Sequence, residues 1–258
     1  MCYYNSINIQ KGTKITLNGV SKELPPIQRP IQSGFEYGDW AIIKAIDNNN
    51  ARDFNNDVDF VFELAHWELI APWVNSMLDV MKGREKFNTL NATAERLFES
   101  RLFKQPALKR RCLVLSSGFY EWRHVTPSGS KKDIAYPYHI TVKDKPYFFI
   151  AGIYQPWVDV ESGEMMDTFS IITTKANDLM AQIHNKKQRM PTILNEQQAA
   201  EWIQPILKPS QIMGLANHQI DSNLLEVHTL KKDFRTAYNP KEIFEYADLP
   251  SLDYGKLL

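Results

Sequence analysis

Four apolar segments rich in β-branched and aromatic residues occupy the centre of the chain and constrain its fold more than any other feature. Turn-forming stretches, PSGSKKD and KDKP, separate the first three segments from one another. Each segment has the length and composition of a β-strand, so we predict a β-rich centre. The segments are CLVLSSGFYEW (112–122), YPYHITVK (136–143), PYFFIAGIY (146–154) and TFSIITTKA (168–176).

The segments around this centre are a mixture of strand-like and helix-like patterns. Residues 57–67 alternate in polarity and predict a further strand, whereas residues 93–103, 177–183 and 195–206 carry apolar residues at helical spacing. Residues 19–34 contain three prolines and are predicted to form an irregular connection. Strands followed by scattered helices favour an α+β fold over a doubly wound sheet. We therefore predict a central, mostly antiparallel sheet or barrel-like core with peripheral helices.

The size and charge of the chain limit its organisation and its partners. A chain of 258 residues that is 43% hydrophobic can bury one core, so we predict a single domain over residues 1–258, with 195–258 as a C-terminal extension of it. Basic and acidic residues number 30 each, so any nucleic-acid site must rest on a local patch. Two cysteines are too few to stabilise a chain of this size by disulfides. No leader or long apolar run is evident. We predict a cytoplasmic monomer with free thiols and no membrane association.

The second residue offers unusual chemistry. Removal of Met1 would leave Cys2 with a free α-amine next to a thiol, which no internal cysteine has. An aldehyde that meets this 1,2-aminothiol forms a Schiff base with the amine, and the thiol then closes a thiazolidine ring. A Met-Cys start alone is equally compatible with a buried or merely tolerated cysteine. Motifs for nucleotides, P-loops and zinc do not occur, so neither a cofactor nor a metal is predicted.

Several motifs, in the same order along the chain, resemble the SOS response-associated peptidase family of abasic-site processing proteins. The motifs are the Met-Cys start, HWELIAPW (66–73), LNATAERLF (90–98), RRCLVLSSGFYEWRH (110–124) and IITTKANDLMAQIHNKKQRMPTIL (171–194). The resemblance covers residues 1 to 194. It implies covalent attachment to the aldehyde of an abasic site in single-stranded DNA, in association with the nucleoid.

The resemblance also implies roles for individual residues. Cys2 matches the nucleophile, and Asn91 matches the asparagine that holds the amine and the adduct. Glu121 matches the carboxylate that moves protons during imine formation, and His184 matches the histidine that protonates the ring oxygen of the closed sugar. Outside this context, Glu121 would ordinarily face solvent on its strand, His184 would be structural, and Asn91 would be a cap or turn residue.

The sequence departs from the family pattern at three places. The start is Met-Cys-Tyr-Tyr instead of Met-Cys-Gly-Arg, and Thr93 stands where the family has an arginine. Four residues separate His184 from Arg189, a longer gap than the shortest family versions have. These differences concern phosphate contacts more than the covalent chemistry.

Basic residues are concentrated around the motifs. Residues 101–132 contain eight basic residues and one acid, and another basic cluster follows His184. Basic clusters can contact DNA phosphates, and aromatic rings nearby can stack on exposed bases. The ordinary alternatives are solvated surface charge for the basic residues and core packing for the aromatic ones. The predicted DNA contacts are Arg101, Arg110, Arg111, Lys186, Arg189, Trp67 and Trp73.

Three classes of function are compatible with these residues. The first is an enzyme that cross-links itself to abasic sites in single-stranded DNA, with removal of its own Met1 and strand cleavage by β-elimination as further activities. The second is a peptidase or hydrolase with an N-terminal nucleophile, which turnover of an added peptide would reveal. The third is a non-catalytic reader of DNA, which would tolerate loss of both Glu121 and His184.

Overall fold

The computed structural model describes residues 2–46 and 59–253, which contain fifteen β-strands and five α-helices. The strands are β1 (Tyr4–Ile9), β2 (Lys14–Leu17), β3 (Val20–Glu23), β4 (Ile27–Ser33), β5 (Asp39–Ala45), β6 (Phe60–Trp67), β7 (Asn91–Thr93), β8 (Arg111–Ser116), β9 (Gly118–Val125), β10 (Ile134–Val142), β11 (Phe148–Val158), β12 (Met165–Lys175), β13 (Arg189–Pro191), β14 (Ile193–Leu194) and β15 (Leu225–Thr229). The helices are α1 (Met77–Gly83), α2 (Lys104–Lys109), α3 (Asp178–Ile183), α4 (Glu196–Trp202) and α5 (Pro209–Ala216).

Five strands close into a barrel at the centre of the molecule. The ring runs β12-β6-β5-β8-β11 and returns to β12 through the β11–β12 pair. Within this ring only the β12–β6 pair is parallel, and β7 adds a second parallel pairing to β12. Closure leaves few unpaired strand edges. The predicted α+β fold with a mostly antiparallel, barrel-like core is confirmed.

A second sheet, in the order β15-β10-β9-β1-β4, packs beside the barrel. The predicted strand 112–122 is divided between the two sheets, because β8 belongs to the barrel and β9 to the second sheet. The break falls at Ser117, whose amide donates to the carbonyl of Ser6 on β1 (2.8 Å). As a result of this division, Glu121 lies in the second sheet, next to the start of the chain.

Two local predictions are wrong. Residues 19–34 form β3 and β4 instead of an irregular connection, and Pro30 is tolerated because β4 is an edge strand that needs no donor there. Residues 93–103 do not form one helix, since Asn91–Thr93 pairs with β12 and only a 3-10 turn follows at Ala94–Arg96. Pairing with β12 overrides the helical spacing of the local sequence.

The predicted helices at 177–183 and 195–206 are present as α3 and the shorter α4. Asn177 caps α3 by accepting from the amide of Met180 (2.9 Å), and Asn195 caps α4 in the same way. The cap fixes where α3 begins, and the helix ends at Ile183 with His184 as its C-cap residue. Within the described residues, no helix is long and apolar enough to cross a lipid bilayer.

Candidate active site

Glu121 lies on β9, where it pairs with Tyr138 of β10, and its side chain is buried. The ordinary expectation that it faces solvent therefore does not hold. Burial penalises the charged form and raises the pKa of Glu121 to about 7. Both protonation states are populated near neutral pH, so this carboxyl can give or take a proton.

His184 follows the last turn of α3 and faces Glu121, with its Nε2 atom 3.7 Å from Oε2 of the carboxyl. Its Nδ1 lies 2.7 Å from the carbonyl oxygen of Arg189, which can only accept, so Nδ1 carries the proton. In the neutral ring, Nε2 then presents its lone pair to Glu121. Burial lowers the pKa of His184 to about 4, which keeps the ring neutral at pH 7.

Cys2 is fully buried immediately before β1, and its thiol donates to the carbonyl of Tyr4 (3.8 Å). Burial raises the pKa of this thiol well above its usual range, and the nearby charge of Glu121 raises it further. The sulfur is therefore a protonated thiol at neutral pH. To act as a nucleophile it needs a base beside it, and Glu121 is the nearby carboxylate.

Asn91 begins β7, opposite Ile171 of β12, and is also buried. Neither Oδ1 nor Nδ2 of this amide has a hydrogen-bond partner among the described residues. The preceding residue, Leu90, approaches Gly34, where an added Cβ would lie 3.1 Å from Leu90 Cδ1. The Gly34 amide in turn donates to the carbonyl of Tyr3 (2.8 Å), which brings the Asn91 segment beside the start of the chain.

An unsatisfied buried amide is costly, and Asn91 therefore offers both a donor and an acceptor to a bound polar group. Glu121 and the segment after Cys2 belong to the second sheet, and His184 follows α3. Asn91 belongs to β7, which pairs with β12. The four residues come from distant parts of the sequence. No cluster of His, Cys, Asp or Glu suited to a metal ion occurs in residues 2–46 or 59–253.

A cleft of about 320 Å³ opens over Glu121 and His184. This volume is in the range of small-ligand sites and suits a single sugar. Sequence reasoning did not single out Tyr3 or His124, which also line it. The full lining is Tyr3, Glu121, Trp122, His124, Ala135, His184, Lys186 and Lys187.

Some predicted DNA contacts lie on accessible surfaces. Lys186 is exposed at the cleft and pairs with Asp133. Trp73 is 47% exposed, and the guanidinium of Arg101 stacks over its ring at 4.5 Å from the centroid. Trp73 and Arg101 line a separate cavity of about 560 Å³.

Other predicted DNA contacts are engaged within the protein. Arg189 makes two hydrogen bonds to Glu95 (2.8 and 2.9 Å) and a third to the carbonyl of Thr173 (2.6 Å). Arg110 is half-buried and donates to the side chain of Gln155. Each guanidinium group thus bonds to a barrel strand, Arg189 to β12 and Arg110 to β11.

The structure corrects two of the predicted contacts. Trp67 is fully buried, stacked on Phe169 and hydrogen-bonded to the carbonyl of Leu90 (3.1 Å), so its ring cannot stack on a base. Arg111 is buried as well, because its guanidinium satisfies main-chain carbonyls at the ends of two helices. The acceptors are Ala107, Leu108, Trp202 and Gln204. Both residues are structural.

Arg111→Ala is expected to lower the free energy of unfolding by at least about 2 kcal/mol, because it leaves several buried carbonyls without a hydrogen-bond donor. Lys186→Ala removes an exposed charge and should change it by less than about 0.5 kcal/mol. Denaturant unfolding of the two variants measures the difference. Equal stability of both would contradict the structural role of Arg111.

Comparison with known proteins gives consistent similarities. The family model described as SOS response associated peptidase (SRAP) matches residues 20–236. Abasic site processing protein YoqW of Bacillus subtilis is 37% identical over 139 residues, which cover 54% of this chain and 55% of that protein. HMCES of Pongo abelii, also described as an abasic site processing protein, is 30% identical over 159 residues, which cover 53% and 43% of the two chains. The matches thus span about half the length of these curated relatives.

Solved structures resemble the fold as well. A protein from Bacteroides thetaiotaomicron superposes with a TM-score of 0.68 at 34% identity, covering 82% of each chain. One from Bordetella bronchiseptica superposes with a TM-score of 0.62 at 19% identity, covering 89% of this chain and all of the other. The second likeness concerns the fold alone.

Proposed function

Since the chain belongs to the SOS response associated peptidase family, we propose that it attaches itself covalently to abasic sites in single-stranded DNA. The observation that carries the proposal is the buried Glu121–His184 pair under a sugar-sized cleft, next to Cys2. The substrate class is suggested by relatives described as abasic site processing proteins. A slowly migrating, denaturation-resistant band after incubation of protein lacking Met1 with an abasic oligonucleotide would support the proposal, and its absence would overturn it.

The proposed reaction starts only after Met1 has been removed. The α-amine of Cys2 attacks the aldehyde carbon of the open sugar, and the resulting carbinolamine loses water to give a Schiff base. The thiol sulfur then adds to the imine carbon, its proton passes to the nitrogen, and a thiazolidine ring closes. The balance is one molecule of water released for each adduct.

Glu121 would move the protons in this sequence. Its protonated form would donate to the departing hydroxyl, and its carboxylate would accept the proton of the buried thiol. His184 is neutral at pH 7, so a proton for the sugar ring oxygen would have to pass from Glu121 to Nε2 first. Asn91 would hold the amine and the adduct through its unsatisfied amide.

A peptidase is less well supported by this geometry. Cysteine nucleophiles of peptidases are thiolates with a depressed pKa, whereas burial raises the pKa of Cys2. The one peptide cut proposed here is loss of Met1, either by an aminopeptidase or by the site itself. β-Elimination remains a proposed side reaction of the Schiff base. We further propose that the protein acts as a cytoplasmic monomer at the nucleoid.

DNA would reach the cleft across the exposed basic residues. The proposed contacts are Lys186 and Lys187 at the cleft, with Trp73 and Arg101 as a second contact at the separate cavity. Trp73 would stack on an unpaired base there.

Binding to undamaged single-stranded DNA is expected to weaken steeply with salt, because phosphate contacts release counterions. Lys186→Ala should reduce the slope of log K against log salt by about 0.7, the value for one phosphate contact. Fluorescence anisotropy at several salt concentrations measures both slopes, with Lys175→Ala, which lies away from the cleft lining, as the control. A flat salt response of the unmodified protein would exclude the proposed phosphate contacts.

A further inference from the structure

The turn between α3 and β13, residues 184–189, is closed by contacts at both ends. The carbonyl of His184 accepts from the amide of Gln188 (2.7 Å), while Nδ1 of His184 donates to the carbonyl of Arg189 (2.7 Å). Arg189 is anchored in turn by Glu95 and by the carbonyl of Thr173. These contacts set the shape of the turn, but they do not join it to the strand that carries Glu121.

Asn185 makes that connection. Its Oδ1 accepts from the amide of His124 (3.0 Å), and its Nδ2 donates to the carbonyl of the same residue (2.7 Å). His124 lies on β9, three residues after Glu121, where its other neighbour is Ala135 of β10. The side-chain amide thus satisfies both main-chain groups of one residue at the edge of β9, as a neighbouring strand would.

We propose that Asn185 is a positioning residue that fixes the His184 ring against Glu121, an inference that rests on the proposed function. Asn185 follows His184 directly, so its two hydrogen bonds to β9 hold the His184 backbone at a set distance from the strand. The neighbouring Lys186–Asp133 pair joins the turn to the stretch before β10 instead. At 3.7 Å, Nε2 and Oε2 are just beyond hydrogen-bond distance, so proton transfer needs the two groups to approach slightly from this position. A loosened turn would therefore interrupt proton transfer.

The first test is an NMR titration of the His184 imidazole in the full-length protein. Asn185→Ala should let water reach the ring and raise the midpoint toward the ordinary histidine value of 6.5. The charged or titratable groups around the ring are Glu121, the α-amine of the chain, Lys187 and His124. Gln219→Ala is a matched control, because Gln219 also bonds two carbonyls, those of Lys175 and Ala176, at the other end of α3.

The second test is the rate of adduct formation with abasic single-stranded DNA. Asn185→Ala should slow it about 10- to 100-fold, the cost of a misplacement near 1 Å, whereas Gln219→Ala should keep the wild-type rate. The rate is measured with saturating DNA, because Lys186 and Lys187 lie in the same turn and a change in DNA affinity would otherwise contribute to it.

An unchanged His184 midpoint in Asn185→Ala, or an equal shift in Gln219→Ala, would overturn the positioning role. Wild-type protein that forms no adduct would overturn the proposed function alone, because the titration still decides on Asn185.

Discussion

Cys2→Ala is expected to abolish the denaturation-resistant adduct with abasic single-stranded DNA. The variant keeps the α-amine once Met1 is removed, so it still forms a Schiff base, but it has no sulfur to close the ring. An open imine hydrolyses or allows β-elimination, which should appear as a strand nick that increases in the variant. Denaturing gel electrophoresis of protein and DNA together measures both products.

Cys112→Ala is the matched control, because Cys112 is equally buried but lies on β8 of the barrel. This variant should cross-link like the wild type. Borohydride, which reduces an imine to a stable amine, should trap Cys2→Ala on the DNA and show that the amine still reacts. A stable adduct of Cys2→Ala without borohydride would rule out the thiazolidine.

Glu121→Gln is expected to slow adduct formation by about 10² to 10⁴, the usual contribution of a general acid–base group. Glutamine keeps the shape of the side chain but cannot exchange protons. Because the pKa of Glu121 is about 7, the wild-type rate should change with pH near neutrality, and the variant should keep only the part of that change that comes from the α-amine. Single-turnover rates between pH 5 and about pH 9 test this.

The effect of Glu121→Gln on the free energy of unfolding shows whether a slower reaction results from lost proton transfer or from unfolding. The folded-state pKa of Glu121, about 7, lies above its ordinary value of 4.5, so the folded protein binds this proton more tightly than the unfolded chain. The stability linked to this proton is complete below pH 4.5 and is lost as the pH rises through 7. Above pH 7, Glu121→Gln should be more stable than the wild type, by up to about 3 kcal/mol. Lower stability of the variant than of the wild type above pH 7 would contradict the raised pKa of the buried carboxyl.

The sequence predicts most of the strands, because apolar β-branched runs bounded by turn residues are local signals. It does not predict that 112–122 divides between two sheets at Ser117, since that break depends on a contact with Ser6. The same reason explains the error at 93–103, where pairing of Asn91–Thr93 with β12 replaces a helix. Local periodicity cannot report on a partner more than 70 residues away.

The candidate site shows the same division between local and tertiary information. Motif order singles out Cys2, Asn91, Glu121 and His184, but it cannot show that Glu121 is buried and therefore has a pKa near 7. Charge and aromaticity also misassign Arg111 and Trp67, since a buried guanidinium and a core indole look like surface residues in sequence. Asn185 carries no recognisable signal, because its role depends on β9 lying beside the turn.

The most direct test of the account is the intact mass of the purified full-length protein, alone and after incubation with single-stranded DNA carrying one abasic site. The proposed cross-link requires that the protein lacks Met1 and that the conjugate weighs the sum of protein and DNA less one water. Protein without Met1 that shows no conjugate would contradict it.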